Sequence, residues 1–268
     1  MRIPVAGAEL EVHVSGPSAR PAVLLIHGFP LDRALWNAQV SALSQWRCIV
    51  PDLRGAGDST APSPPGDYSM EQYAADLMTV LDAFEIAATV VCGLSMGGYV
   101  ALELLRRYPE RILAAVLCDT KAEADSAEAR RARDAMAALA QREGAAAVGE
   151  QILPRMLAPA TFAERPGVIA AVRAMMARTP VSGIVGALRA LRERPDQTRT
   201  LDTIRVPVLV VAGADDQITP PTPMRAMARA IPGARFSEVP AAGHLPPLEQ
   251  PEAVNRLLAG FLKELEGG

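Results

Sequence analysis

Short apolar runs alternate along this chain with longer stretches that have a helical spacing of apolar residues. The runs are rich in β-branched residues and lack polar alternation, which is typical of strands buried on both faces of a parallel sheet. Five of them are clear: Ala22–Ile26, Arg47–Val50, Thr89–Cys92, Leu113–Cys118 and Val206–Ala212. The alternation of strands and helices predicts a doubly wound, mostly parallel α/β sheet.

One segment near the start has a different pattern. Glu9–Ser15 alternates polar and apolar residues, which predicts an edge strand with one face in water. We expect it to form a hairpin with Ile3–Val5 through the turn at Ala6 and Gly7.

Helix boundaries can be read at several places. Ser69 followed by Gln72 is a capping-box signature, so a helix is predicted over Ser69–Phe84. A second helix is predicted from Met96 to Tyr108 and a last one over Pro251–Leu265. The proline-rich stretch Ala61–Gly66 is predicted to be a stiff surface loop.

A long stretch between two of the strands has no strand pattern. Residues 122–198 are rich in Ala, Arg, Glu and Met. Such a length without a strand favours an insertion on the sheet over a continuation of its outer layer. Four helices are predicted in it: Ala127–Arg142, Gly149–Leu157, Pro166–Arg178 and Ser182–Arg192.

Composition restricts the classes of function. The chain has 268 residues, half of them hydrophobic, and a formal net charge of −3, so a basic nucleic-acid-binding surface is not expected. There is no apolar run of about 18 residues and no secretory signal pattern, which favours a cytoplasmic protein without membrane contact. The three cysteines, Cys48, Cys92 and Cys118, lie in apolar runs and are expected to be reduced core residues.

The strongest chemical signal is the sequence Gly93–Leu94–Ser95–Met96–Gly97 between a predicted strand and a predicted helix. This G-x-S-x-G pattern is typical of a nucleophilic serine carried on a sharp, strained turn. Side chains two residues before and after the serine would collide there, so glycine is needed at both places. The amide of Met96, at the start of the helix, can donate a hydrogen bond to an oxyanion.

A nucleophilic serine needs a base, and the chain has only three histidines. His13 lies in the alternating strand and is expected to be a surface or hydrogen-bonded residue. His27 lies at the end of a buried strand, where a packing role is expected. His244 lies in a loop rich in Gly and Pro and is the predicted base. Either Asp215 or Asp216, which follow a buried strand, can hold the imidazole in one tautomer.

Of the remaining motifs, one predicts a part of the oxyanion hole. The others argue against binding of a phosphate, a dinucleotide or a metal. In the stretch His27–Pro30, the glycine allows a turn that aims the Phe29 amide at the site, where it would form the oxyanion hole together with Met96. The Gly-rich stretch Asp52–Ser59 lacks the spacing of a phosphate-binding loop and is expected to be a structural turn. Dinucleotide and metal motifs are absent from the sequence, so no cofactor and no metal are predicted.

These motifs together resemble the α/β-hydrolase superfamily, in its branch of small serine esterases, enol-lactonases and cofactor-free haloperoxidases. The resemblance implies an eight-stranded sheet, a core of residues 1–119 and 200–268, and an inserted helical cap at 120–199. The family pattern G-x-x-D-x-x-x-P falls on Gly213, Asp216 and Pro220, which favours Asp216 as the triad acid. Epoxide hydrolases and some dehalogenases share the motif of His27–Pro30 but have an aspartate where this chain has Ser95, which argues against those activities.

The predicted function is hydrolysis of carboxylic esters through an acyl-enzyme, with the triad Ser95, Asp216 and His244. The substrate would be a small ester or lactone, and a homo-oligomer is left open. Lactone or enol-lactone hydrolysis and perhydrolase chemistry are the alternative reactions, and a ligand receptor without turnover is a further alternative. Four methionines are expected to line the pocket or to pack within the cap: Met136, Met156, Met175 and Met176.

Overall fold

The computed structural model describes residues 1–62 and 68–266. The predicted loop Ala61–Gly66 therefore lies mostly outside the described residues. Within these ranges, eight strands form one sheet: β1 (Arg2–Val5), β2 (Ala8–Ser15), β3 (Ala22–Ile26), β4 (Arg47–Pro51), β5 (Thr89–Leu94), β6 (Ile112–Cys118), β7 (Val208–Gly213) and β8 (Arg235–Val239). All five of the predicted buried runs are strands.

The order of the strands across the sheet is β1-β2-β4-β3-β5-β6-β7-β8. The pairs β1–β2 and β2–β4 are antiparallel, and the pairs from β4 to β8 are parallel. The prediction that Glu9–Ser15 is an edge strand is wrong, because β1 pairs with its outer side and is itself the edge. Alternating burial within β2 reflects exposure of one face of the sheet, which a strand can have without lying at the edge.

Helices cover both faces of the sheet. They are α1 (Asn37–Ala42), α2 (Met70–Ala83), α3 (Met96–Arg107), α9 (Pro221–Ala230), the short α10 (Pro246–Glu249) and α11 (Pro251–Glu266). On one face, apolar residues of α2, α3 and α9 form a core with those of the central strands. On the other face, α11 and the segment around α1 form a second core. The doubly wound arrangement predicted from the alternation is confirmed.

Helix α2 begins with the N-cap that the sequence predicts. The Ser69 hydroxyl accepts the backbone N–H of Gln72 at 3.0 Å, as expected of an N-cap. The Nε2 group of Gln72 donates to Asp76 at 2.8 Å, so this side chain also contacts the residue one turn further along the helix. Asp76 in turn binds the buried Arg54 guanidinium through two hydrogen bonds of 2.8 Å. This ion pair holds the glycine-rich turn after β4 against α2.

Between β6 and β7 the chain is helical, with five helices where four were predicted. They are α4 (Ala127–Glu143), α5 (Ala145–Met156), α6 (Pro159–Glu164), α7 (Pro166–Arg178) and α8 (Val181–Glu193). The unpredicted α6 has six residues, too few to show a periodic apolar pattern.

Two further predictions, on the cysteines and on membrane-spanning helices, can be compared with the described residues. The three cysteines are free and buried. No single helix within the described ranges is long and apolar enough to cross a membrane, and α7 and α8, which pass that test only as a pair, meet at an angle of 96°.

Candidate active site

Ser95 stands at the turn between β5 and α3, where the G-x-S-x-G pattern places it. Its φ of 54° and ψ of −111° are a backbone conformation that residues other than glycine adopt rarely. Its backbone N–H donates to the carbonyl of Cys118 at 2.8 Å, and the Thr120 hydroxyl donates to the Ser95 carbonyl at 2.9 Å. The end of β6 therefore holds the strained turn in place.

Three glycines around this turn are required by close packing, two of them against the backbone and one against a side chain. A Cβ on Gly93 would lie 2.2 Å from the carbonyl oxygen of Gly97, and one on Gly97 would lie 2.2 Å from that of Ile26. A Cβ on Gly98 would lie 2.5 Å from the side chain of Thr120. Both glycines of the motif thus occupy the places where a larger side chain would collide with the backbone.

His244 and Asp216 meet although 28 residues separate them. Nδ1 of His244 lies 2.7 Å from Oδ2 of Asp216, and both residues are almost fully buried, at 2 % and 4 % exposure. A ring that donates from Nδ1 to a carboxylate keeps its Nε2 lone pair for accepting a proton. Asp215, the alternative that the residues left open, is exposed and makes no such contact. Of the two aspartates, the structure brings Asp216 to the histidine.

The surroundings of Asp216 favour its charged form. Burial by itself raises the pKa of this carboxyl, but the His244 ring and hydrogen bonds from His244, Thr219 and Ile218 outweigh burial and lower the pKa from 3.8 to about 2. The Thr219 hydroxyl donates to Oδ2 at 2.6 Å, and the Ile218 N–H donates to Oδ1 at 2.7 Å. Sequence reasoning missed Thr219. The only signal for it is a hydroxyl residue three positions after the acid.

A second residue that sequence reasoning missed is Glu249, which is fully buried. Its Oε1 accepts the N–H groups of Gly243 at 2.8 Å and Leu245 at 3.2 Å, on either side of the predicted base. Its Oε2 accepts the N–H of Ala158 at 2.7 Å and the hydroxyl of Thr161 at 2.6 Å, around the start of α6. One carboxylate therefore joins the histidine loop to the helical segment.

The predicted oxyanion loop follows β3. The Nε2 of His27 accepts the N–H of Leu53 at 2.9 Å, so the proton lies on Nδ1, which donates to the carbonyl of Gly28 at 2.9 Å. Burial also lowers the pKa of His27, which keeps the ring neutral. His27 thus has the structural role expected of it and fixes the loop that carries Phe29. Met96 is the first residue of α3, where a backbone N–H has no helical acceptor.

A cavity of about 60 Å³ has both Ser95 and His244 in its wall. Most of its lining is apolar, and the polar lining includes Tyr99 and Arg133. Its apolar lining comes from the oxyanion loop, the helical segment and the turn after β7: Phe29, Met136, Ile152, Met156, Leu191 and Ile218. Two of the four methionines considered as pocket residues, Met136 and Met156, therefore face this cavity. Met175 and Met176 are buried in the second core instead.

Comparison with known proteins agrees with this fold. A family model described as the alpha/beta hydrolase fold matches residues 21–251. The chain belongs to the α/β-hydrolase family, and the protein is a hydrolase.

Three similar proteins come from the esterase and enol-lactonase groups. A thermophilic esterase from Thermogutta terrifontis shares 40 % identity at a TM-score of 0.94, covering 99 % of this chain and 98 % of that one. An enol-lactonase from Burkholderia xenovorans shares 32 % identity at a TM-score of 0.91, covering 98 % of this chain and all of that one. In sequence, 3-oxoadipate enol-lactonase 2 from Acinetobacter baylyi is 28 % identical over 249 residues, which are 92 % of this chain and 91 % of that protein.

Proposed function

We propose that this protein is a serine hydrolase that cleaves small carboxylic esters through an acyl-enzyme. The observation that carries the proposal is that one cavity has in its wall both the strained Ser95 and a histidine hydrogen-bonded to a buried carboxylate. A hydroxyl, a base and an acid that fixes the tautomer of the base are the parts that nucleophilic acyl transfer needs.

In the proposed reaction, the Ser95 hydroxyl attacks the ester carbonyl while Nε2 of His244 takes its proton. The backbone N–H groups of Phe29 and Met96 stabilise the oxyanion of the tetrahedral intermediate. His244 then gives the proton to the departing alcohol, and the acyl group stays on the serine. Water, deprotonated by the same histidine, releases the acid and restores the enzyme. Asp216 keeps its charge throughout and stabilises the imidazolium.

The cavity supports a preference for short acyl groups. Its volume of about 60 Å³ is small, and Met136, Ile152 and Leu191 of the helical segment lie in its wall. In this proposal, residues 120–199 act as a cap that closes the cavity over the sheet, and the substrate enters between cap and core.

Hydrolysis of an enol-lactone is a second candidate, because Arg133 lines the cavity. Its Nε donates to Asp125 at 3.1 Å, and Asp125 also pairs with Arg194 at 2.6 Å, so two guanidinium groups share one carboxylate. The excess positive charge suits a substrate with a carboxylate of its own. Two of the similar proteins are named enol-lactonases, and the enol-lactone of 3-oxoadipate keeps one free carboxylate.

The test of the proposal combines turnover with covalent labelling. We expect the wild-type protein to hydrolyse p-nitrophenyl esters of short acids and to react with a fluorophosphonate at the peptide containing Ser95. Ser95→Ala should lower kcat by about 10³-fold or more and abolish labelling. Ser41→Ala, at an exposed serine, serves as the matched control and should change neither. Equal turnover by Ser95→Ala and wild type would refute the proposal.

Paired substrates distinguish ester hydrolysis from enol-lactone hydrolysis. Neutral and carboxylate-bearing versions of the same ester and the same enol-lactone are compared in wild type and Arg133→Met. If the anionic lactone is the better substrate, Arg133→Met should raise KM for anionic substrates about tenfold and leave neutral ones unchanged. Equal effects on both would show that Arg133 does not recognise the charge.

A further inference from the structure

Asp119 is a buried carboxyl group that the proposed mechanism does not use. It follows β6, which pairs with β5 on one side and with β7 on the other. It therefore lies between the turn that carries Ser95 and the turn that carries Asp216. Its φ of 44° is in the left-handed region, which aspartate tolerates better than most residues, and its exposure is 0 %.

Only one of the two oxygens of Asp119 has a hydrogen-bond partner within the described part of the chain. Oδ1 accepts the N–H of Gly213 at 2.7 Å, whereas Oδ2 is buried and has none. One side-chain atom from each of Asp119, Asp216 and His244 lies within 4.8 Å of the others. Leaving a buried charged oxygen without a donor is costly, but a protonated oxygen can itself donate to a neighbouring carboxylate.

Two carboxyl groups in contact inside a protein cannot both be ionised, so they share the available proton. Asp216 is the better site for the charge, because it accepts hydrogen bonds from His244, the Thr219 hydroxyl and two backbone N–H groups. Asp119 has one backbone donor. Burial, the charge of Asp216 and the adjacent Cys118 thiol all raise the pKa of Asp119 well above its usual range, and the Gly213 N–H offsets this only in part.

We propose that Asp119 is a positioning residue: held as a neutral carboxylic acid, it donates a hydrogen bond from Oδ2 to the carboxylate of Asp216. This inference rests on the proposed function, because it assigns Asp216 as the acid that orients His244. The hydrogen bond adds a contact from the end of β6 to those that Asp216 receives from Ile218 and Thr219, and it spreads part of the charge of Asp216. The proton on Asp119 also keeps a second negative charge out of the site.

The first test observes the proton directly and needs no turnover. Infrared spectra of protein labelled with ¹³C-aspartate should show, at neutral pH, the carbonyl band of a protonated carboxylic acid. That band should be missing in Asp119→Asn and present in Asp215→Asn, the matched control at the exposed neighbour of Asp216. A spectrum that Asp119→Asn leaves unchanged would show that Asp119 is ionised and would overturn the proposal.

The second test uses the pH profile of kcat/KM, whose acid limb reports the base of the free enzyme. Asp119→Ala removes the donor, so kcat should fall about tenfold with little change in KM, and the acid limb should move to higher pH because Asp216 becomes a stronger partner for the imidazolium. Asp119→Asn keeps a donor of the same shape and should restore most of the loss, with the acid limb near its wild-type position.

Two other outcomes of these experiments would contradict the proposal. If Asp119 were charged, removing its charge at this distance would move the acid limb to lower pH by about two units in both variants. A lower Tm in both variants with an unmoved acid limb would indicate a role in folding alone. Either result overturns the proposal. The infrared result stands by itself if Ser95→Ala should prove active, so failure of the proposed function and failure of this inference can be told apart.

Discussion

Oε1 of Glu249 accepts the backbone N–H of Gly243 at 2.8 Å, so a buried carboxylate holds the loop that carries the proposed base. The same loop is tied to the helical segment a second time, because the N–H of His244 donates to the carbonyl of Met156 at 2.8 Å. A Cβ on Gly243 would lie 2.7 Å from the backbone nitrogen of Ala158, so the two segments are in direct backbone contact. The position of the histidine therefore depends on the helices above the sheet.

Glu249→Gln should reduce both stability and turnover. All four partners of this side chain donate to it, so the NH₂ group of glutamine would face at least one backbone N–H group and leave it without an acceptor. We expect a loss of about 2–4 kcal/mol in the free energy of unfolding and a fall in kcat larger than the change in KM. Urea unfolding and steady-state kinetics measure the two effects.

The matched control for that variant is Glu252→Gln, an exposed residue in the first turn of α11. It should change the free energy of unfolding by less than about 0.5 kcal/mol. Equal effects of the two substitutions would contradict the role assigned to Glu249.

Thr219→Val should weaken the site without changing its volume. The variant loses the hydroxyl that donates to Asp216 at 2.6 Å, so the pKa of Asp216 should rise from about 2 toward its ordinary value. We expect kcat/KM to fall about tenfold, as for one hydrogen bond to a charged group. Thr222→Val, at an exposed position of α9, is the control and should behave as the wild type. Wild-type kinetics in Thr219→Val would show that this hydroxyl does not support the triad.

Acid unfolding should show how much Asp216 contributes to the free energy of unfolding. Its pKa is lower in the folded protein, about 2, than its ordinary value of 3.8, so its stabilising effect is present above pH 3.8 and is lost as the pH falls toward 2. The difference corresponds to about 2 kcal/mol. Asp216→Asn should therefore remove part of the slope of unfolding free energy against pH between pH 4 and 2. An identical slope in wild type and variant would contradict the lowered pKa.

Two glycine substitutions should have opposite effects on stability. One glycine is required by close packing at the turn that carries Ser95, and the other only lowers the stability of a helix. Gly97→Ala places a methyl group 2.2 Å from the carbonyl oxygen of Ile26, so we expect a loss of at least about 3 kcal/mol of stability and of most activity. Gly260→Ala, in the middle of α11 with open space around it, should stabilise the protein by about 0.5–1 kcal/mol. Thermal unfolding of both variants checks the contrast, and tolerance of Gly97→Ala would exclude the close contact.

Breaking the buried ion pair between Arg54 and Asp76 should destabilise the turn after β4. Asp76→Ala leaves the guanidinium buried without its carboxylate, for an expected loss of about 3–5 kcal/mol in the free energy of unfolding. The exposed pair between Glu150 and Arg173 is the control, and Glu150→Ala there should cost far less stability than Asp76→Ala, because water screens an exposed ion pair. Comparable losses for the two variants in urea unfolding would contradict the difference in burial.

The sequence by itself determined the features that depend on residues close together in the chain. The buried strands, the N-cap at Ser69 and the strained turn at Ser95 each follow from local patterns of apolar residues, hydroxyl groups and glycine. The short helix α6 was missed because six residues carry too little periodicity, and the edge position was misplaced because alternation reports exposure of a face and not the number of neighbouring strands.

Only the tertiary structure decided which side chains support the proposed triad. Asp119 reaches Gly213 across 94 residues, and Glu249 reaches Ala158 across 91. Contacts at such separations leave no periodic signal in the sequence, and a lone Asp or Glu does not by itself indicate a site, because Asp is also a common turn residue. Whether such a group is charged depends on burial and on the donors around it, and both arise only when distant segments pack together.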